Sequence, residues 1–187
     1  MSDRRVKYTK MALRQALIHF LGEKPIARIT IKEICEEADV NRTTFYAHYA
    51  DQFDQLKQIE REFIEGINSY LADFEVKNDE TDIVRRVEMI FEYVRTNAEL
   101  CRVLLGGNGN IDFQESLIEI IGGYVTSVWQ SKRIADGETA KAMFRFVATG
   151  CIGLVSEWLS APAPQSAENM ARFVVKMAST GCEGFYA

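Results

Sequence analysis

Apolar residues in this chain recur almost throughout at the three-and-four spacing of helices. Leu13, Ala16, Leu17, Phe20 and Leu21 fall on one face and predict a first helix, closed by Pro25. Ile31, Ile34, Cys35 and Ala38 form a second, narrower stripe, with Lys32, Glu33, Glu36 and Glu37 on its wet side. Thr30 stands three residues before Glu33, the spacing at which hydroxyl and carboxylate satisfy each other's backbone N–H groups, so Thr30 is the expected N-cap. A third helix starts at Arg42, capped by Asn41, with Val40 packing inward and Phe45 and Tyr49 on its inner face. Between the two, Asp39 must turn the chain through a region that Asp enters more readily than most side chains. The isoleucines of residues 26–31 suggest a strand, but nothing nearby could pair with it and the segment ends in a capping box. That strand is rejected.

After Asp51, the residues Phe53, Leu56, Ile59, Phe63, Ile67, Tyr70, Leu71 and Phe74 share one face of a long fourth helix. Further helices are expected at about 81–96, 98–105, 113–132, 137–159 and 167–186, and every proline falls between elements. The predicted fold is all-α, with a small N-terminal three-helix unit carrying a helix-turn-helix, joined to a larger helical C-terminal body. The expected domains are 1–52, with the motif at about 30–49, and 53–187, the boundary lying inside or near helix four.

A helix-turn-helix with polar residues opening its second helix points to DNA. Arg42, Thr43, Tyr46 and Ala47 are left outward near that helix's start, and the slim Thr43 and Ala47 would let Arg42 reach a guanine edge in a groove about 12 Å wide. Arg42, Thr43 and Ala47 are therefore the candidate base contacts. The run Tyr46-Ala47-His48-Tyr49, within a similarity extending from about Thr9 to Leu56, resembles the DNA-binding domain of the tetracycline-repressor (TetR) family of bacterial regulators. The resemblance implies that Thr30, Lys32, Thr44, Tyr46 and His48 approach phosphates, a set that Asn41 joins; such contacts position the protein while base contacts specify sequence. Two positions depart from the family pattern: Asp39 stands where Gly is usual, and Gln52 where a phosphate-binding Lys is common. One lost phosphate contact lowers the salt slope by roughly one unit, so weakened rather than abolished binding is expected.

Charge agrees with that placement. The net charge is −5, yet residues 1–50 carry +3 and the remainder −8, giving a basic end for phosphates and an acidic body. Arg4, Arg5 and Lys7 precede the expected first helix and read equally as an arm over the DNA backbone or as a solvated tail. The polar, cationic N-terminus lacks a secretory h-region, and no apolar run looks long enough to span a bilayer, so a cytoplasmic protein with no membrane partner is expected. Cys35, Cys101, Cys151 and Cys182 are widely spaced within apolar patterns, as reduced core thiols are.

The last two helices are more apolar than one core requires. Phe144, Val147, Gly150, Cys151 and Val155, then Phe173, Val174 and Met177, are the candidate dimer interface; Gly150 and Gly153 make sense mid-helix if another helix approaches closely. In TetR-like proteins the last two helices pair as a four-helix bundle, which implies recognition helices about 34 to 36 Å apart. The segments LCRVLLGGNGNIDF and CIGLVSEWL make the body similar to that of dihydroxyacetone-kinase operon regulators. Phe91, Tyr124, Trp129 and Phe144 could line an effector cavity or form ordinary core, the first three being the candidate pocket. Gly106, Gly107 and Gly109 read as a helix-connecting loop, since no Lys-Ser/Thr follows them. With His19 and His48 as the only histidines, neither a catalytic arrangement nor a zinc spacing is found, and no enzyme, metal or cofactor is expected. The implied function is a homodimeric transcriptional regulator, a repressor on a pseudo-palindromic double-stranded operator, releasable by a small-molecule effector. The alternative is a protein-partnered transcriptional adaptor or co-activator of the same fold with weakened DNA binding.

Overall fold

In the computed structural model, residues 2–71, 80–106, 111–131 and 137–182 are described, and they are all-α. Helix α1 spans Ser2–Glu23; a single 3-10 turn, Ile26–Arg28, occupies the segment whose isoleucines had suggested a strand. Helices α2 (Ile31–Glu37), α3 (Arg42–Tyr46) and α4 (Gln52–Leu71) follow, then α5 (Glu80–Thr96), α6 (Ala98–Leu105), α7 (Ile111–Ser131), α8 (Gly137–Ser160) and α9 (Ala167–Cys182). Phe74, Gly107, Gly109 and the expected helix end at 183–186 lie outside the described residues.

The chain divides into two compact units, residues 1–63 and 64–187, with α4 contributing to both. In the first unit, Leu13, Ala16, Leu17 and Leu21 of α1 are buried together with Ile29, Ile34, Cys35, Phe45, Tyr49, Leu56, Ile59 and Phe63. Phe45 has no exposed surface, and its ring packs against that of Tyr49. Two expectations are corrected here. Arg4, Arg5 and Lys7 lie within α1 rather than before it, because the helix continues for about three turns past its packed stripe. Phe53 is 49% exposed, not inward, since it sits in the first turn of α4, at the end of the stripe that begins in earnest with Gln55 and Leu56.

In the second unit, α5 packs on α9 and α7 on α8, with α6 against α8. Phe144 and Ala148 of α8 form a buried cluster with Ala140, against which Ile118, Ile121 and Val125 of α7 pack. A Cβ at Gly122 would lie 2.7 Å from the Phe144 ring, so glycine there is what lets α7 and α8 approach. Arg102 closes α6 onto α8, its Nε and Nη2 both donating to the Leu159 carbonyl at 3.0 and 2.8 Å, one of the carbonyls a helix C-terminus leaves unpaired.

Phe144 is therefore an intramolecular core residue, a correction to its assignment to a dimer interface. The open aromatic is Phe146, two residues further and on the other side of the helix, which is 83% exposed. Phe173 and Met177 of α9 are also exposed, and Val147, Cys151, Val155 and Val174 are half-buried. Cβ atoms at Gly150 and Gly153 would meet nothing within 4 Å. Helix α8 is long and apolar enough, by length and composition, to cross a membrane, which corrects the expectation that no such run exists. One face of it packs on α7, and much of the rest is open in the single chain. Phe91 is buried edge-on to Trp158 with ring centroids 5.4 Å apart, as core aromatics pack; the side chains of Tyr124 and Trp129 lie outside those described.

Candidate nucleic-acid interface

The geometry of the first unit is set by three local locks. At α2, Glu33 N donates to Thr30 Oγ1 at 3.3 Å while Thr30 N donates to Glu33 Oε2 at 2.9 Å, the reciprocal capping box that the spacing predicts. Lys24 adds an ion pair to Glu33 Oε1 at 2.6 Å, tying the end of α1 to the start of α2. The Lys24 ammonium first, and then the Thr30 hydroxyl and N–H, hold the Glu33 carboxyl at about 2 instead of its ordinary 4.5. At the turn, Asp39 adopts a positive φ of 52°, and it is the one non-glycine residue to do so among those described. At α3, Asn41 Oδ1 accepts from Thr44 N at 2.8 Å and from Thr44 Oγ1 at 2.9 Å.

These locks leave a definite set of side chains facing outward. Arg42, Thr43, Tyr46 and Ala47 are exposed, Tyr46 by 57%, and Phe45 and Tyr49 fill the inner face as their spacing predicts. Thr30, Lys32 and Asn41 are exposed as well, and Thr44 and His48 half-buried. The donors among them are not equivalent. The hydroxyl protons of Thr30 and Thr44 are already directed at Glu33 Oε2 and Asn41 Oδ1, so either residue must release an internal bond to donate to a phosphate. Lys32 is drawn towards Glu36 at 3.7 Å. Arg42, the Asn41 amide N–H₂, the Tyr46 hydroxyl and the His48 ring have no hydrogen-bond or ion-pair partner among the described residues.

Between α2 and α3 lies an open depression of about 480 Å³ lined by Lys32, Cys35, Glu36, Asp39, Val40, Asn41 and Arg42. Its two cations and two carboxylates balance, so Asp39 and Glu36 temper the positive field around Arg42. Cys35 lies buried beneath, and burial pushes its thiol above the ordinary range, as it does for Cys151. The start of α4 holds a feature the sequence reading passed over. Asp51 Oδ1 accepts from Asp54 N at 2.8 Å and Asp54 Oδ2 from Ala50 N at 3.0 Å, so two carboxylates occupy this helix opening beside Gln52. The Ala50 N–H, with help from Gln58, holds the Asp54 carboxyl below its usual value. The signal was the Asp-x-x-Asp spacing, a capping arrangement adjacent to the family motif.

Residues 81–180, more than half of the chain, match the family model of the TetR-type "Transcriptional regulator C-terminal region". The chain belongs to the TetR family. The uncharacterized HTH-type transcriptional regulator YxbF of Bacillus subtilis (strain 168) is 34% identical over 61 residues, which is 33% of this chain and 16% of that protein. The chain thus spans about a sixth of the length of that curated relative. Among solved structures, a TetR transcriptional regulator from Streptococcus agalactiae 2603V superposes with a TM-score of 0.67 at 20% identity, covering 95% of this chain and 97% of that one. The dihydroxyacetone kinase operon activator DhaS gives 0.60 at 16% identity, covering 96% and 98%. NalD, the secondary repressor of the MexAB-OprM multidrug efflux pump in Pseudomonas aeruginosa, gives 0.71 at 14% identity over 94% and 97%. At such identities these likenesses speak for the TetR fold, which serves an activator in one case and a repressor in another. Membership of this family makes the chain a transcriptional regulator of the TetR type.

Proposed function

We propose that this TetR regulator is a homodimeric repressor that reads a pseudo-palindromic operator through α3 and leaves it when a small molecule binds the body. The observation that carries the reading is the set of outward donors without internal partners, Arg42, Asn41, Tyr46 and His48, held on a helix-turn-helix capped at both helix starts. Arg42, with Thr43 and Ala47 leaving it room, reads base edges; Asn41, Tyr46, His48 and Lys32 grip phosphates. Thr44 joins them by releasing its bond to the neutral Asn41 oxygen, which a charged phosphate outcompetes more readily than it does the Glu33 carboxylate that holds Thr30. Phosphate contact by Thr30 is accordingly the weakest of the set.

Dimerisation is supported by the open apolar faces of α8 and α9, where Phe146, Phe173 and Met177 lie exposed and Gly150 and Gly153 leave room for a partner helix backbone. The effector would bind the body near α5 and α7 and act by preferring a conformer whose recognition helices no longer match the operator. Its site of action is chromosomal DNA in the cytoplasm.

A second reading is favoured by Asp39, Gln52 and the paired carboxylates of Asp51 and Asp54: an adaptor that keeps the fold and binds DNA weakly. Selection from a random duplex library at low ionic strength separates the two. Enrichment of an inverted repeat whose halves lie about one helical turn apart is the expected result. Absence of any salt-sensitive enrichment would favour the adaptor.

A further inference from the structure

The cations of the first unit are unevenly paired. Around the helix-turn-helix, Lys24 is held by Glu33 at 2.6 Å, Lys32 faces Glu36 at 3.7 Å, and Arg14 is bound by Glu62 at 3.1 Å. The start of α4 adds the two carboxylates of Asp51 and Asp54, with Lys57 and Arg61 close enough to act on Asp54. The first turns of α1 are the reverse. Arg4, Arg5 and Lys7 are exposed and, like Lys10 beside them, form no ion pair among the described residues.

These charges are carried on a helix, not a tail, since α1 is helical from Ser2. Val6 continues the stripe of Leu13 and Leu17 yet is exposed, which marks residues 4–10 as an overhang beyond the packed core. The overhang belongs to the same compact unit as the helix-turn-helix. Gln55, in the first turn of α4 and so just past the Tyr46–Tyr49 run, donates from Nε2 to the Leu13 carbonyl at 2.7 Å. With a rise of 1.5 Å per residue, residues 4–10 lie about 5 to 14 Å along the axis from that joint. This compares with a screening length of about 8 Å at physiological salt.

We infer that the first turns of α1 form a second phosphate-binding surface, which engages the DNA backbone beside the segment read by α3 and supplies counterion release. The inference rests on the DNA-binding reading above. Because the cations are already ordered on a helix, engaging a duplex does not incur the ordering cost a disordered arm would. The surface adds affinity for any duplex and no sequence preference.

The test uses the full chain carrying Arg4→Gln, Arg5→Gln and Lys7→Gln together, glutamine having a helix propensity close to that of the residues replaced. Binding to a random-sequence duplex is followed across salt concentrations. Each phosphate contact removed should lower the slope of log K against log salt by about 0.9, and weaken binding about eightfold at 0.1 M salt. Lys7→Gln alone should show one such step, and Arg4→Lys with Arg5→Lys none. Equal slopes for the parent and the triple variant would overturn the inference alone, whereas a parent that binds no duplex at low salt overturns the DNA-binding reading with it. Loss of binding to anionic lipid vesicles, with the DNA slope unchanged, would reassign the surface to membranes and overturn the inference too.

Discussion

Asn41 does two things that one substitution can separate. Its Oδ1 takes the Thr44 N–H at 2.8 Å and the Thr44 hydroxyl at 2.9 Å, while its amide N–H₂ faces outward without a partner among the described residues. The Thr44 N–H also reaches the Asn41 carbonyl at 3.1 Å, so truncation leaves that group weakly bonded rather than orphaned. Asn41→Ala should therefore cost about 1 kcal/mol, the middle of the range for lost N-caps. For a unit of this size, that is a melting shift of about 4 to 8 °C. On DNA, losing a hydrogen bond to a charged phosphate is worth about 1.5 to 3 kcal/mol per subunit, roughly ten- to a hundredfold. The loss should appear on every duplex and leave the salt slope unchanged, because a neutral amide releases no counterion. Asn41→Asp keeps the cap and removes the donor: stability should return to that of the parent and DNA affinity should not. The measurements are thermal unfolding by circular dichroism and duplex binding by fluorescence anisotropy at several salt concentrations. If Asn41→Asp bound as tightly as the parent, Asn41 would be a cap and nothing more. Unchanged melting of Asn41→Ala would refute the cap.

Arg42→Ala should weaken operator binding by about 1 to 3 kcal/mol and random-duplex binding little, and equal losses on both would remove it from base readout. Tyr46→Phe, by contrast, should weaken binding to every sequence, so an unchanged affinity would exclude its hydroxyl from the phosphate contacts. Glu33 titrates near 2 in the folded chain and near 4.5 unfolded, so its stabilising contribution is complete above about pH 4.5 and is lost as pH falls towards 2. Urea unfolding across that window should show a shallower pH dependence for Glu33→Gln, and parallel curves would contradict the Lys24 and Thr30 contacts as its cause. Phe146→Glu should shift the proposed dimer towards monomer: burying a phenylalanine is worth about 1.5 to 3 kcal/mol per copy, so two copies amount to a weakening of about a hundredfold or more by sedimentation. A variant as dimeric as the parent would move the interface off that face of α8.

Asp39 shows how far a sequence can take a structural argument. A sharp bend was required between two apolar stripes, and the residue placed there adopts a φ of 52°. The start of α1 shows the limit. Polar, cationic residues before an apolar stripe carry no periodic signal, so they read as a tail, although nothing in them breaks a helix and α1 runs to Ser2. The donors of the proposed reading surface were legible as residue types, but not their state. That the Thr30 and Thr44 hydroxyl protons are directed inward while the Asn41 amide is left outward depends on rotamers and hydrogen bonds that spacing does not encode.

By itself, the sequence determined the helices, the Thr30 and Asn41 caps, the inward pair Phe45 and Tyr49, and the family motif. Each of these is decided within a few residues, by a 3.6-residue period or a side chain bonding a backbone group three positions away. Which apolar face is satisfied was decided only by the tertiary structure. Phe144 and Phe146 are equally apolar and two residues apart, but one meets Gly122 of α7 and the other meets no such face. Phe53 and Val6 likewise stand on apolar stripes that run past the packed core. Burial depends on helices distant along the chain, and no local pattern records where those helices stop.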